Sequence, residues 1–299
     1  MSGKILVTGA SGKLGSVVID SLIQKYQVDV SNIIALSSNP DRLAARKEQG
    51  IEVRKGDFND PESLEKAFSG VERVLIVSVA EVGERIRLHG NAVKAAKKAG
   101  VSRVVYTSMP NADKSPITFA DEHNSTEKLI QELGFNETII LRNNWYFENL
   151  IELSASILQT KVQLSSSSDG KVSQISRDDL AVAAAAALVK SELSGVFTLG
   201  GQQSLTDKQF VKALEEVTGV KVNLVSLSSS EHKAKLVGFG LPEAVAEMVV
   251  SFDTHNSQGL SDFSSKDFES LTGEKPTSFS DWLSANKEKI EAIAESKGS

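Results

Sequence analysis

Apolar positions in the first half of the chain follow two alternating spacings. Segments of strand length lie at Lys4–Thr8, Asn32–Leu36, Ile51–Arg54, Arg73–Val77, Ser102–Thr107 and Thr138–Leu141, and the first is too continuously apolar to face water. Segments with helical spacing lie between them. Leu14–Lys25 sets Val17, Val18, Ile19 and Leu22 to pack inward, and Arg42–Gln49 continues from Pro40, which a first helical turn tolerates. Asp60-Pro61-Glu62 opens a third helix with a cap, a first-turn proline and an early acid. Glu84–Ala99 is a fourth, and Asp121–Leu133, closed by Gly134, a fifth. Strands alternating with helices in this way predict a Rossmann-type, doubly wound parallel sheet covered on both faces.

The second half is less regular. Ser165–Ser168 with Asp169-Gly170 marks a turn, Val172–Ile175 a short strand, and Arg177-Asp178-Asp179 caps an Ala-rich helix through Leu188. Val196–Leu199 and Val222–Leu227 are strands, and Thr206 with Gln209 has capping-box spacing ahead of Phe210–Val217. Helices are expected around Glu231–Val237 and Pro242–Val250. The division that follows is a Rossmann domain over 1–150 and a smaller, helix-rich substrate domain over 151–299, with some later strands free to return to the first sheet.

The first strand runs into Thr8-Gly9-Ala10-Ser11-Gly12-Lys13-Leu14-Gly15, with glycines spaced three and three. A glycine pattern alone signals only a tight turn. Directly after a buried strand, and opening a helix at the head of βα repeats, it signals a dinucleotide cradle. Gly9 would permit the turn, Gly12 the approach of a pyrophosphate to the backbone, and Gly15 the close packing of helix on strand. The tip of the second strand, Leu36-Ser37-Ser38-Asn39-Pro40-Asp41-Arg42, has no acid for a ribose 2′-hydroxyl; Ser37, Ser38 and Arg42 suit a 2′-phosphate, favouring NADP(H). Arg42 reads equally as a solvated helix residue. Asp57 and Phe58 lie where an adenine would, or are a turn acid and a core aromatic, and Val77, Ser78 and Val79 should run past the nicotinamide-side ribose.

Composition narrows the chemistry. No cysteine is present and the four histidines are scattered, which removes disulfides, thiolate chemistry and an evident metal site. A net charge of −6 without a Lys/Arg cluster argues against nucleic acid. No apolar run approaches a membrane span, and the opening Met1-Ser2-Gly3-Lys4 leads straight into a strand, so a cytoplasmic chain is expected.

Beyond the glycine turn, several blocks occur in order: Gly56-Asp57-Phe58, Tyr106-Thr107-Ser108, Asp121-Glu122-His123 with Thr126-Glu127-Lys128, and Leu141–Tyr146 with Glu148-Asn149. Together with Arg177–Ala181 and Gly240-Leu241-Pro242 they resemble the NmrA-like atypical short-chain dehydrogenase/reductases, near the NADPH-dependent quinone reductases and triphenylmethane reductases of that family. The resemblance implies a monomer or homodimer with NADP(H) across the first sheet and a cleft for a flat, quinone-like aromatic acceptor. Those quinone reductases carry an arginine near the second strand's tip, where this chain has Ser38.

None of the three tyrosines has a lysine four residues on, so the usual Tyr-x-x-x-Lys proton donor is missing. A quinone fits that gap, because its reduced form is a stabilised anion and needs an oriented hydride donor more than a strong acid. Lys128 is expected to hold the nicotinamide ribose and offer charge to the oxyanion, or else to pair with Glu132 on the surface. His123 is expected to donate a proton or hydrogen-bond the acceptor, or else to make a structural hydrogen bond. Asn143, Trp145 and Tyr146 follow the sixth strand at the sheet's carboxyl edge, with Tyr146 and Trp145 available to stack on the acceptor or to serve as core. A non-catalytic NADP(H)-binding sensor is the alternative; an epimerase or dehydratase is disfavoured by the absent tyrosine.

Overall fold

Every apolar run of the first half forms a strand, displaced from its expected bounds by a residue or two. The computed structural model describes residues 3–191 and 193–296. In chain order they fold as β1 (Lys4–Val7), α1 (Lys13–Gln24), β2 (Ile33–Ser37), α2 (Ala44–Glu48), β3 (Glu52–Lys55), α3 (Pro61–Phe68), β4 (Val71–Ile76), α4 (Arg85–Lys98), β5 (Arg103–Ser108), α5 (Ala120–Leu133) and β6 (Glu137–Asn143). There follow α6 (Leu150–Thr160), β7 (Val162–Ser165), β8 (Lys171–Val172), α7 (Arg177–Val189), β9 (Gly195–Leu199), β10 (Leu205–Thr206), α8 (Asp207–Thr218), β11 (Asn223–Ser226), α9 (Ser229–Gly238), α10 (Glu243–Ser257), α11 (Lys266–Thr272) and α12 (Phe279–Ser296).

Seven parallel strands make the main sheet in the order β3-β2-β1-β4-β5-β6-β9. Alternate residues of β1 go to opposite faces: Ile5 and Val7 pack under α1 and α7, whereas Leu6 packs with α3 and α4. The strand order reverses between β1 and β4, and a doubly wound sheet opens its ligand crevice at the carboxyl ends there.

Local signals set several boundaries. Asp60 caps α3 by accepting from Ser63 N–H, and Gly134 closes α5 at φ +58°. Thr206 and Gln209 form the expected capping box on α8. The expected strand Val172–Ile175 shrinks to Lys171–Val172, paired with β10. Beyond it the backbone turns to other partners: Ser173 N–H donates to Ser261 O, and Ile175 N–H to Trp145 O.

The second half serves two bodies of packing. β9 extends the main sheet beside β6, and α7 lies on α1 in the same core cluster as Phe268 and Leu271 of α11. α6, α8 and α12 bury Leu150, Leu158, Leu214, Trp282 and Ile290 in a separate cluster. Periodicity gave no warning of α6, α11 or α12. The carboxyl end of α7 is closed by Arg103, almost fully buried, whose Nη1 donates to the carbonyls of Ala187, Leu188 and Lys190.

Candidate active site

The glycine turn stands at the reversal point. Gly9 takes φ +59°, a left-handed conformation that glycine adopts without strain, and its carbonyl accepts from Gly12 N–H at 2.8 Å. A Cβ on residue 15 would overlap that same Gly9 carbonyl, so α1 can approach β1 only through glycine. No side chain caps α1 at Gly12, which leaves its first-turn N–H groups to an outside acceptor. Ala10 N–H donates to Leu36 O, and the Ser11 and Ser37 hydroxyls meet at 3.1 Å, tying the turn to the tip of β2. Ala10 and Leu14 are buried beneath the turn, while Gly12 and Lys13 stand on its outside.

At that tip Ser37 is buried and its hydroxyl is engaged with Asn39, while Ser38 and Arg42 are exposed. Asp41 lies in the helical turn Pro40–Leu43, also exposed, and so does not occupy the strand end. Asp57 accepts from Asn59 N–H, ordering the turn after β3, and Phe58 is buried in the cluster that holds Leu36 and Leu64.

The segment after β4 is pinned residue by residue. Val77 N–H donates to Thr8 Oγ1, Ser78 N–H to Thr107 Oγ1 and Val79 N–H to His89 Nε2. Side chains from the turn after β1, from β5 and from α4 thus fix three successive peptides along the crevice.

Beneath them lies a polar cluster that sequence spacing did not bring together. The Tyr106 hydroxyl is 2.8 Å from His123 Nδ1 and 3.2 Å from His89 Nδ1. A backbone amide and a guanidinium can only donate, so His89 Nε2 accepts from Val79 and His123 Nε2 from Arg85 Nη1 at 3.3 Å. Each neutral ring therefore carries its proton on Nδ1. His89 shares it between Thr126 Oγ1 and Tyr106, and His123 gives it to Tyr106. Burial first, and then the Arg85 charge, lower both histidine pKa values to about 3. Burial raises that of Tyr106. At neutral pH His123 is therefore an uncharged ring with both nitrogens engaged in hydrogen bonds within the protein.

Arg85 reaches the same point from the first turn of α4. Its Nε donates to Val79 O at 2.7 Å, its guanidinium carbon stands 4.8 Å over the Phe119 ring, and burial is the main cause that lowers its pKa. Glu122 accepts through Oε1 from the N–H groups of Gly83 and Arg85, holding the turn that delivers the side chain.

At the end of β6, Asn143 Nδ2 donates to the Tyr146 hydroxyl at 3.1 Å, while Asn143 Oδ1 is buried without a partner. Burial raises the Tyr146 pKa, so it too remains a phenol, with Arg177 5.8 Å from its ring centre. Trp145 is about one-third exposed and packs at 4.4 Å against Phe252 of α10, which meets Phe119 at 5.9 Å. Phe119 in turn meets His123 at 6.1 Å. This aromatic row joins residues more than 130 positions apart, and no sequence signal marked Phe252 or Phe119. Below the row, Arg142 grips Glu127 with Nε and Nη2 at 3.0 and 2.6 Å, and Ser108 Oγ donates to the same carboxylate.

Lys128 does not join this assembly. His123, Thr126, Glu127 and Ile130 are the buried side of α5, and helical spacing puts the exposed Lys128 on the side turned from the sheet. The expected pair with Glu132 is also absent from the ion pairs of the described residues.

The residues present fit a dinucleotide. The turn is a cradle that a Cβ at residue 15 would fill, α1 offers uncapped N–H groups, and the orphaned Asn143 Oδ1 awaits a donor at the far end of the crevice. Among the described residues no helix is long and apolar enough to cross a membrane.

Comparison with known proteins agrees with this layout. The model of the NmrA-like family matches residues 1–283. Quinone oxidoreductase 2 of Escherichia coli (strain K12) is 37% identical over 281 residues, 94% of this chain and 97% of that one. The structure of an NADPH-dependent quinone oxidoreductase from Escherichia coli, complexed with NADPH, aligns with a TM-score of 0.89 at 37% identity, covering 94% of this chain and 99% of that chain. Citrobacter sp. triphenylmethane reductase complexed with NADP(H) aligns with a TM-score of 0.83 at 33% identity, covering 98% and 99%.

Proposed function

The chain belongs to the NmrA-like family, and we propose that it is an NADPH-dependent oxidoreductase that transfers hydride to a quinone-like aromatic acceptor. The observation that carries this reading is the glycine cradle at the strand-order reversal, in a chain 37% identical to a quinone oxidoreductase over nearly its full length.

When bound, the cofactor supplies the hydride; the chain's own residues bind, orient and exclude water. The Gly9–Gly15 turn and the uncapped end of α1 would take the pyrophosphate, as suits N–H donors facing an anion. Exposed Ser38 and Arg42, with no acid at the tip of β2, leave room for a 2′-phosphate. Val77–Val79 would line the nicotinamide half, and Asn143 Oδ1 would accept from a ribose hydroxyl or carboxamide. Trp145 would form an apolar wall with the inclined rings of Phe252 and Phe119, which suits an aromatic acceptor and removes water from the transfer path.

No group in the described crevice is a ready acid at neutral pH: His123 is uncharged, and Tyr106 and Tyr146 are held as phenols. That chemistry selects acceptors whose two-electron reduced form is stable as an anion until solvent protonates it. Orientation then supplies most of the rate.

The test is direct. Mixed with NADPH and either benzoquinone or menadione, the protein should consume the nicotinamide absorbance catalytically. A steady absorbance with both acceptors, alongside tight NADPH binding, would overturn the reductase reading in favour of a cofactor-binding regulator.

A further inference from the structure

Among the described residues Arg85 is a partly buried cation with no carboxylate in a direct ion pair, Glu122 and Glu81 acting on it only at longer range. Among the described residues no acidic oxygen lies within 4 Å of its guanidinium, and two of its three nitrogens are committed: Nε to Val79 O and Nη1 to neutral His123. Among the described residues its third nitrogen, Nη2, has no partner. The nearby Glu122 spends Oε1 on backbone N–H groups and keeps Oε2 buried and unpaired rather than closing on the guanidinium. Removing a cation from water without a directly paired counter-ion is costly, and a charged group perturbed by burial in a cleft is a candidate functional residue.

The setting of Arg85 states which anion. The guanidinium lies against Phe119, at the end of the Trp145–Phe252–Phe119 row, and is held to the carbonyl of Val79 in the pinned segment after β4. Of the other cations near the crevice, Arg142 is neutralised by Glu127, Lys128 faces away from the sheet, and Arg177 stands over the Tyr146 ring rather than against the Val79 segment.

We propose that Arg85 is a catalytic residue whose free Nη2 receives the developing oxyanion of the reduced acceptor, with His123 and Val79 as its positioning partners. The proposal rests on the reductase reading. In the step, the acceptor gains one hydride, the cofactor loses the same hydrogen and electron pair, and the acceptor becomes a monoanion. One proton from solvent then completes the hydroquinone. His123 accepts from Arg85 throughout and gives up no proton; its role is to fix the guanidinium plane. The charged and titratable groups facing this guanidinium are His89 on the same helix, Tyr106 on β5, Glu122 and His123 on α5, and Glu81 in the preceding loop.

The experiment compares wild type, Arg85→Gln and Arg85→Lys in three measurements. Turnover with NADPH and menadione should fall about 100-fold in Arg85→Gln and recover in part in Arg85→Lys, the loss lying in kcat. NADPH affinity by fluorescence titration should stay within about twofold, because the guanidinium is assigned to the acceptor. Binding of 2-hydroxy-1,4-naphthoquinone, an aromatic anion at neutral pH that carries the charge of the reduced acceptor, should weaken at least about tenfold in Arg85→Gln with NADP⁺ present. Unchanged kcat in Arg85→Gln, or a parallel loss of NADPH affinity and thermal stability, would overturn the proposal. If wild type turns over no quinone, the reductase reading fails, and the anion titration decides alone for Arg85: equal binding by wild type and Arg85→Gln would overturn it.

Discussion

The Tyr106 hydroxyl lies 2.8 Å from His123 Nδ1, between β5 and the first turns of α5, and Arg85 occupies the other ring nitrogen. A ring held this way takes up a proton only by losing a hydrogen bond in a place that water does not reach. The same holds for His89, pinned between Val79 N–H and Thr126.

This makes the fold sensitive to acid. Burial lowers the pKa of His89 and His123 to about 3 and that of His255 to about 4. Above the unfolded value of about 6.5 the rings are neutral in both states and contribute no pH dependence. As pH falls below it, the unfolded chain binds protons that the folded chain refuses, so stability is lost down to the folded values. Each ring contributes a slope of about 1.4 kcal/mol per pH unit in that window. Urea unfolding should show a midpoint that drops steadily from about pH 6.5 to about pH 4; a flat midpoint there would contradict the buried neutral rings.

Gly15→Ala places a methyl group on the Gly9 carbonyl, which is backbone and cannot step aside. The strain should cost about 1–3 kcal/mol and push α1 off the cradle. Both the thermal midpoint and NADPH affinity should fall. Retained affinity in a folded variant would remove the turn from the binding site.

Ser38 is exposed at the tip of β2, so an acid there should be tolerated by the fold. Ser38→Asp would repel a 2′-phosphate and accept from a 2′-hydroxyl. The ratio of NADPH to NADH affinity should drop at least about tenfold. No change in that ratio would move the adenosine end of the cofactor away from Ser37–Arg42.

Lys128→Ala should leave NADPH affinity and turnover within about twofold of wild type, because surface substitutions clear of a site do little. A large loss would mean that α5 turns this face toward bound cofactor.

Arg142→Met removes the cation paired with Glu127, whose side chain is 4% exposed, and leaves Ser108 Oγ as a neutral donor to it. An uncompensated buried carboxylate should cost about 3–5 kcal/mol. Glu127→Gln in the same background should recover part of it by removing the charge; denaturant melts of the single and double variants measure both.

The elements of the first half were legible because the inner strands β1 and β2 are buried almost throughout and helices are punctuated by residues with a local effect, such as Asp60 before Pro61 or Gly134 after Leu133. The glycine cradle was legible for the same reason: Gly9 and Gly15 answer to backbone geometry within a few residues. The Val172–Ile175 strand failed because its peptides find partners at Ser261 and Trp145, which no local pattern contains.

The candidate site divides along that line. By itself the sequence determined the doubly wound sheet, the turn at the head of α1, the lack of a Tyr-x-x-x-Lys pair and the NmrA-like affinity of the chain. All of these depend on near neighbours or on spacing. Only the tertiary structure decided that Lys128 faces solvent while Arg85 reaches Val79, His123 and Phe119. It alone decided that His123 is uncharged, and that Phe252 closes an aromatic row with Trp145 and Phe119. Charge state and direction depend on burial and on partners brought from distant segments, and a linear pattern encodes neither.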